Sequence, residues 1–369
     1  MTEYKMNKKN IIICGGGTAG HIHPALAVAE KLKAQESDIH IIFVGTTREL
    51  EKSIMEKHGA DFIPLKIEGL KGKGMKTIRS LFILPYAFFK SLVILIKKQP
   101  VLVIGVGGYS SGPPVLLASI MKKPTLILEQ NSIPGFTNKA LIPWVSKAAV
   151  AFESSLPFFK GKGIYTGNPV RKQFYRLTPK QRENQLFLLI FGGSQGSTFL
   201  NKGMTESLPM LLEYRDRLVI HHQTGPNDLS WVKNSYSERD FSHVEVASYF
   251  FNIEEYYERS DLIICRAGAT TIAELIAAKK AALLIPFARA ADNHQFFNAL
   301  ELEKAGGAEI IIESEFSAQK LAAKIIDFYK NKEKITQMEN SLAAFESGDA
   351  ADKIIEICFQ LMKNHPKRS

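Results

Sequence analysis

Short runs of consecutive apolar residues recur along the chain, separated by longer stretches with helical periodicity. Runs rich in Ile, Val and Leu are typical of strands that a parallel sheet buries on both faces. Their alternation with helices predicts an α/β fold in which helices cover both sides of the sheet. The predicted strands lie at 11–14, 39–45, 102–108, 125–130, 186–193, 218–223, 262–268 and 282–287.

The strand pattern restarts in the second half of the chain. The strand at 11–14 leads into a glycine turn, Gly15 to Gly20, and the strand that begins at 186 leads into another, Gly192 to Gly196. Two similar doubly wound domains are therefore predicted. The connection between them is expected at residues 166–171, which contain Gly and Pro. The expected division is 1–168, 169–346 and a C-terminal segment, 347–369, in which 350–363 have helical periodicity.

Composition narrows the class of protein and of partner. Of 369 residues, 45% are hydrophobic and 23% charged, which is typical of a soluble globular protein and excludes a disordered chain. Three distant cysteines without a CxxC pair argue against structural zinc and a disulfide framework, and favour a reducing cytoplasm. The 47 Lys and Arg exceed the 37 Asp and Glu by 10, which favours nucleic acid, a phosphorylated metabolite or an anionic membrane as partner.

The most apolar segment, 81–96, is too short to span a bilayer and is interrupted by Pro85 and Lys90. Basic residues flank it on both sides, which suits an anionic membrane interface. A buried core helix is the equally good alternative. The polar N-terminus lacks the apolar stretch of a signal peptide, so secretion is not expected.

The first glycine turn matches the dinucleotide fingerprint, in which glycines let a phosphate approach a helix N-terminus. The second strand ends Val44-Gly45-Thr46 without the acid that would hold a ribose, which disfavours a nicotinamide cofactor. His21 directly follows the turn and is either a phosphate ligand, a base or a histidine without a role. A second glycine turn, 105–112, offers further backbone donors to an anion.

Polar residues follow several other predicted strands, where open α/β sheets bind ligands. Glu129-Gln130-Asn131 ends one strand, and Ser194 adds a side-chain donor to the second-half glycine turn. Glu274, one turn into a predicted helix, is either a ribose ligand or an acid favoured by the helix dipole. The segment 292–295 either reads sugar hydroxyls or is a solvated loop.

In chain order, the motifs are GGGTAGHIHPALAVAE, GVGGYSSGP, EQNSIPGFTNK, TGNPVR, FGGSQGS, HQTG, CRAGATTIAEL and DNHQFFNALELEKAGGA. Together they resemble those of the MurG family, the UDP-N-acetylglucosamine transferases of peptidoglycan synthesis within glycosyltransferase family 28. The resemblance covers about residues 10–360. It implies a GT-B fold: two Rossmann-like doubly wound domains, an inter-domain cleft with the active site, and a C-terminal helix that crosses back to the first domain.

The resemblance implies inverting transfer of GlcNAc from UDP-GlcNAc to the 4-hydroxyl of MurNAc in undecaprenyl-diphospho-MurNAc-pentapeptide. His21 is the implied base or acceptor-phosphate ligand. The implied donor-binding residues are Thr18, Ala19, Gly20, Asn131, Arg171, Ser194, Phe250, Glu274 and Gln295. The implied acceptor-binding residues are Gly16, Gly17, His21, Gly107, Gly108 and Tyr109.

No cofactor is expected, since UDP-GlcNAc is a substrate. No metal is expected either, because helix amides after Ser194 together with Arg171 can neutralise the leaving diphosphate, which is consistent with the absence of a DxD-type acidic cluster near the glycine turns. Residues 71–98 resemble the family's membrane-association patch, which implies a peripheral protein on the cytoplasmic face of the bacterial cell membrane. Nucleic acid is not an expected partner. Two alternatives are a transferase that moves a sugar from a UDP donor to diacylglycerol, and a membrane-recruited nucleotide-binding module without turnover.

Overall fold

The computed structural model describes residues 8–16, 19–67, 75–178, 184–343 and 348–365, without the side chains of 19, 50 and 75–82. Gly17, Thr18, residues 71–74 and the expected boundary at 346–347 lie outside the described residues. The chain forms two compact units. Unit 1 is Met1–Val170 with Ser347–Ser369, and unit 2 is Arg171–Glu346.

Unit 1 is built on a seven-stranded parallel sheet with the order β3-β2-β1-β4-β5-β6-β7. Its strands are β1 Lys9–Cys14, β2 Ile39–Gly45, β3 Asp61–Pro64, β4 Leu102–Gly105, β5 Thr125–Glu129, β6 Lys147–Val150 and β7 Gly163–Tyr165. Its first helices are α1 Ala19–Gln35, α2 Glu49–Lys57, α3 Met75–Lys98, α4 Gly112–Ile120 and α5 Phe136–Leu141.

Alternate side chains of the central strand β1 enter two different cores. Ile11 and Ile13 pack among buried residues of α1, while Ile12 and Cys14 pack among buried residues of α3 and α4. All four are at most 1% exposed. An uninterrupted apolar run is thus explained by burial on both faces of the sheet.

Unit 2 repeats this architecture on a six-stranded parallel sheet with the order β10-β9-β8-β11-β12-β13. Its strands are β8 Leu186–Phe191, β9 Leu218–Gln223, β10 Val244–Ala247, β11 Leu262–Cys265, β12 Ala282–Leu284 and β13 Ala308–Ile310. Its helices are α6 Thr198–Leu211, α7 Leu229–Ser237, α8 Ile253–Arg259, α9 Ala269–Ala278, α10 His294–Lys304, α11 Ala318–Lys330 and α12 Lys332–Ala343. The predicted pair of Rossmann-like doubly wound sheets is confirmed.

The last helix, α13 Ala350–Lys363, returns to unit 1 and packs on α1. Asp349 caps its N-terminus by accepting a hydrogen bond from the Ala351 amide at 3.0 Å. Lys31 of α1 forms ion pairs with Asp349 and Asp352. The expectation of a C-terminal helix on the first domain is confirmed.

Helix α3 has two contrasting faces. Ala87, Ser91 and Leu95, four residues apart, are at most 1% exposed, so the core-helix prediction is confirmed for this face. Tyr86 and Phe89 are 48% and 67% exposed. Among the described residues, no helix is both long enough and apolar enough to cross a membrane.

Five strands were missed by the sequence prediction: β3, β6, β7, β10 and β13. Four of them, all except β6, are edge strands of the two sheets. An edge strand has one neighbour and is partly exposed, so its sequence lacks the continuous apolar run that identifies a central strand.

Candidate functional site

The two glycine turns of unit 1 lie next to each other at the carboxyl ends of β1 and β4, because these two strands are neighbours in the sheet. The Gly16 amide donates to the Gly107 carbonyl at 3.4 Å. A Cβ on Gly108, whose φ is +78°, would lie 2.6 Å from the Gly16 oxygen. Only glycine at 108 permits this approach of the two turns.

His21, in the first turn of α1, lies against the second glycine turn. A Cβ on Gly107 would lie 2.9 Å from the imidazole Cε1 and 3.0 Å from Nδ1. Tyr109 begins the short 3-10 turn Tyr109–Ser111 that follows. The structure thus brings together Gly16, His21, Gly107 and Gly108, with Tyr109 next in the chain.

Glu51 of α2 is a buried carboxylate that the sequence prediction missed. It is 1% exposed, and a Cβ on Gly16 or on Gly45 would lie within about 2 Å of its Oε1. Thr46 donates its hydroxyl to Glu51 Oε2 at 2.6 Å. Gly16 therefore makes room for a side chain of the protein itself, a role that motif spacing does not reveal.

The loop after β5 is organised by Glu129, which is 3% exposed. Its carboxylate accepts hydrogen bonds from the Asn131 and Gly135 amides, both at 3.0 Å, and from Asn138 Nδ2 at 2.8 Å. Burial raises the pKa of Glu129, and these donors oppose that shift. Asn131 is thereby held at the same edge of the sheet as the glycine turns.

In unit 2 the glycine turn after β8 precedes the long helix α6. The Gly193 carbonyl accepts the Gly196 amide at 3.0 Å, and Ser194 between them is exposed. Ser197 caps α6 by accepting from the Leu200 amide. An exposed turn at the N-terminus of a helix can bind an anion through backbone amides.

Arg266 connects this turn to two other loops. Its guanidinium donates to Ser197 Oγ at 3.0 Å and 3.2 Å and to the Ile285 carbonyl at 3.0 Å. It also forms an ion pair with Glu313 at 2.6 Å. Burial lowers the pKa of Arg266, while Glu313 opposes that shift. Arg266 belongs to the motif CRAGATTIAEL, but motif spacing does not reveal these partners, because they are distant in sequence.

Glu274 lies in the second turn of α9, and its carboxyl group is enclosed although the side chain keeps some exposed surface. Burial raises its pKa to about 7, opposed by the charge of Arg171 and a hydrogen bond from Tyr257. Arg171 also pairs with Glu254, Nη1 to Oε2, at 3.2 Å. Arg171 and Glu274 therefore share one electrostatic cluster.

Phe250 and Gln295 are both anchored through neighbouring loops. The Phe250 ring is 4% exposed and stacks on Tyr256 with a centroid distance of 3.9 Å, while its amide donates to Gln223 Oε1 at 2.8 Å. Gln295 Oε1 accepts from the Phe287 amide at 3.0 Å. The ring face and the amide of Phe250 are therefore both occupied by contacts within unit 2.

Four predicted donor residues of unit 2 follow different strands of its parallel sheet and so lie near the carboxyl ends of those strands: Ser194, Phe250, Glu274 and Gln295. Arg171 precedes the first strand of unit 2. Of those predicted in unit 1, Gly20 and Asn131 are described; Thr18 and the Ala19 side chain are not. Among the described residues there is no group of three or more His, Cys, Asp or Glu that could hold a metal ion.

Two family profiles match the chain. The Glycosyltransferase family 28 N-terminal domain matches residues 11–150, and the Glycosyltransferase family 28 C-terminal domain matches residues 187–354. Crystalline Acinetobacter baumannii MurG aligns with a TM-score of 0.78 and 26% identity, covering 95% of this chain and 99% of that one. The predicted GT-B fold is confirmed.

Curated relatives are similar over almost the full length. A protein of Myxococcus xanthus is 40% identical over 356 residues, 95% of this chain and 93% of the relative. One of Syntrophus aciditrophicus is 40% identical over 357 residues, 96% of this chain and 99% of the relative. Both are UDP-N-acetylglucosamine–N-acetylmuramyl-(pentapeptide) pyrophosphoryl-undecaprenol N-acetylglucosamine transferases. This chain therefore belongs to their family, within glycosyltransferase family 28.

Proposed function

We propose that this chain transfers GlcNAc from UDP-GlcNAc to the 4-hydroxyl of MurNAc in undecaprenyl-diphospho-MurNAc-pentapeptide, with inversion. The observation that carries the proposal is 40% identity over 95% of the chain to a transferase named for this reaction. The 4-hydroxyl oxygen bonds to the anomeric carbon while the bond from that carbon to the UDP oxygen breaks. The hydroxyl proton passes to a base, and UDP leaves.

Unit 2 provides the donor site in this proposal. Amides at the N-terminus of α6, the exposed Ser194 and the cation of Arg171 stabilise the departing diphosphate. The ionised carboxylate of Glu274 accepts hydrogen bonds from both ribose hydroxyls. The backbone at Phe250 lies next to uracil, and Gln295 reads the sugar. The position of Glu274 in α9, directly after β11, supports this role, because open α/β sheets bind ligands at the carboxyl ends of their strands.

Unit 1 provides the acceptor site. The amides of the paired glycine turns and Tyr109 bind the acceptor diphosphate, and His21 beside Gly107 is the base or a cation for that diphosphate. The role of Thr18, Ala19, Gly20 and Asn131 near the transferred sugar stays a prediction. The expected acceptor domain, 1–168 with 347–369, and donor domain, 169–346, correspond in this proposal to unit 1 and unit 2, whose border lies two residues later, between Val170 and Arg171.

Helix α3 attaches the protein to the cytoplasmic face of the cell membrane as a peripheral protein. Tyr86, Phe89 and Ile96, all at least 48% exposed, form an apolar face that ends in Lys97 and Lys98. Apolar side chains beside lysines favour an anionic lipid surface. The net charge of +10 supports the same partner.

The diphosphate is neutralised by protein groups, so the reaction is proposed to need no metal and no cofactor. Arg171 and the amides preceding α6 supply the positive potential. We expect full turnover in the presence of a chelator. Loss of turnover with chelator, restored by magnesium, would contradict this part of the proposal.

The decisive test is transfer of labelled GlcNAc from UDP-GlcNAc to a lipid-linked MurNAc-pentapeptide analogue, with a diacylglycerol acceptor run in parallel. Product from the muropeptide lipid alone is expected. Product from diacylglycerol alone would agree with the proposed donor site but would refute the proposed acceptor, the MurNAc lipid. Absence of product from both, with UDP still bound, would indicate a binding module without turnover.

A further inference from the structure

Gln223, the last residue of β9, joins the glycine turn to the segment that contains Phe250. The side chain is 2% exposed and both ends of its amide are engaged. Nε2 donates to the Gly193 carbonyl at 3.1 Å, and Oε1 accepts from the Phe250 amide at 2.8 Å. These partners lie 30 and 27 residues away in the sequence. One planar group thus spans the loops after β8 and β10.

The Gly193 carbonyl is held from two sides, by Gln223 and by the Gly196 amide at 3.0 Å. In a planar trans peptide the C=O and the following N–H point in opposite directions. Because the Gly193 carbonyl points at Gln223, the Ser194 N–H points away from Gln223. Ser194 is exposed, which fits an N–H that faces solvent or a bound anion.

Within the turn itself, the hydrogen bond from the Gly196 amide opposes rotation of this peptide, and Gln223 adds a second, independent bond from outside the turn. Gly193 has a φ of +96°, and nothing lies within 4 Å of the position that its Cβ would occupy. A glycine with open space around it can accommodate rotation of the adjoining peptide plane. Rotation of the 193–194 peptide would direct a carbonyl dipole, instead of an N–H, toward a bound diphosphate.

We propose that Gln223 is a positioning residue of the donor site. Gln223 holds the peptide between residues 193 and 194 so that the Ser194 N–H points toward the diphosphate. It also connects that turn to the Phe250 backbone, which is proposed to lie next to uracil. This inference rests on the proposed function of unit 2 as a UDP-binding unit. In this inference, Gln223 connects the loop that binds the diphosphate to the loop that binds the uridine, and it contacts neither part of the donor directly.

Gln223→Glu tests the two ends of the amide separately. The carboxylate keeps an acceptor for the Phe250 amide but replaces the donor to Gly193 with a repelling oxygen. At pH 8.5 we expect UDP affinity about tenfold below wild type, the scale of one lost hydrogen bond, and uridine affinity within about twofold of wild type. Isothermal titration calorimetry with UDP and with uridine measures both values.

A pH series adds a readout that general structural damage would not produce. When protonated, the introduced carboxyl group regains an O–H donor for the Gly193 carbonyl, so the UDP deficit relative to wild type should shrink toward pH 6. The register neighbours of Gln223 in β8 and β10 are Phe191 and Ala247, which do not titrate. His221 and His222 precede Gln223 in β9, and Glu245 pairs with His221. These groups and Glu274 are identical in both proteins, so comparison with wild type cancels their titration.

Gln185→Glu is the matched control, because Gln185 Nε2 also donates to a carbonyl, that of Asp216 at 3.0 Å, just before β8. It should bind UDP and uridine like wild type. If Gln223→Glu melts below the assay temperature, the uncharged Gln223→Met replaces it, and its UDP-to-uridine affinity ratio should fall about tenfold.

Wild-type UDP affinity in the Gln223→Glu variant at every pH, or an equal pH-independent loss of UDP and uridine, would overturn the inference. An unchanged ratio in Gln223→Met would do the same. Failure of the wild-type protein to bind UDP would refute the proposed function instead, so the two failures are distinguishable.

Discussion

The Tyr257 hydroxyl donates to Glu274 Oε2 at 3.4 Å, so a buried phenol contacts the carboxyl group that is proposed to bind ribose. Tyr257 is fully buried. Burial raises the pKa of Tyr257 well above its usual value, and it raises that of Glu274 to about 7. A group that titrates near neutrality makes ligand binding depend on pH in the physiological range.

Uridine affinity should rise with pH. Below about pH 7 the Glu274 carboxyl is mainly protonated and loses acceptor capacity for the ribose hydroxyls; above it, the carboxylate accepts both. We expect an increase of about tenfold between pH 6 and pH 8, measured by calorimetry. Uridine is chosen because it has no phosphate to titrate. Glu274→Gln should give a flat profile, and a flat wild-type profile would contradict the assignment.

Glu274→Gln should also stabilise the protein at pH 8. The folded pKa of about 7 exceeds the ordinary value of 4.5, so the folded state binds the extra proton and stability falls as pH rises between these values. Glutamine cannot ionise and avoids this loss, about 2 kcal/mol after allowance for partial solvent access and Arg171. Urea unfolding at pH 8 and pH 5 measures it, with a much smaller gain at pH 5, close to the ordinary pKa of 4.5. If Glu274→Gln and the wild-type protein were equally stable at pH 8, the claim that the Glu274 charge is buried would be refuted.

Arg266→Lys should impair the donor site without altering the net charge. Lysine cannot reproduce a planar fork that contacts Ser197, Ile285 and Glu313 together. We expect a loss of about 2 kcal/mol in the free energy of unfolding and about tenfold in UDP affinity. Arg289→Lys, at an exposed position, is the control. Unaltered UDP binding would show that Arg266 does not support the turn.

His21→Ala should lower turnover by about two orders of magnitude or more with almost unchanged UDP affinity, because His21 lies with the acceptor turns. His23→Ala, two residues away and exposed, should retain turnover. The wild-type pH profile separates the two roles: a base requires loss of the His21 proton, whereas a diphosphate-binding cation requires its retention. Loss of UDP binding in His21→Ala would overturn the assignment.

Phe89→Ser should weaken binding to vesicles containing phosphatidylglycerol by about tenfold, because the exposed ring supplies apolar area to the interface. Phe158→Ser removes another exposed aromatic ring of unit 1 outside α3 and should leave vesicle binding intact. Co-sedimentation measures both. Equal effects of the two substitutions would argue that α3 is not the membrane-facing element.

The central strands and the glycine turns were predictable because their signals are local. Ile11 to Cys14 form an apolar run that is typical of burial on both sheet faces, and the structure confirms that burial. Edge strands such as β10 carry exposed residues and no such run. The helical periodicity of residues 350–363 likewise predicted α13 with correct bounds.

By itself, the sequence determined the strand and helix pattern, the two doubly wound halves and the family, because these depend on periodicity and motif order along the chain. The tertiary structure alone decided which face of α3 is exposed, that Glu51 lies under Gly16, and that Glu274 titrates near pH 7. It also decided that Gln223 joins Gly193 to Phe250. Burial and contacts between distant residues depend on which segments the fold makes neighbours, and spacing along the chain does not encode that directly.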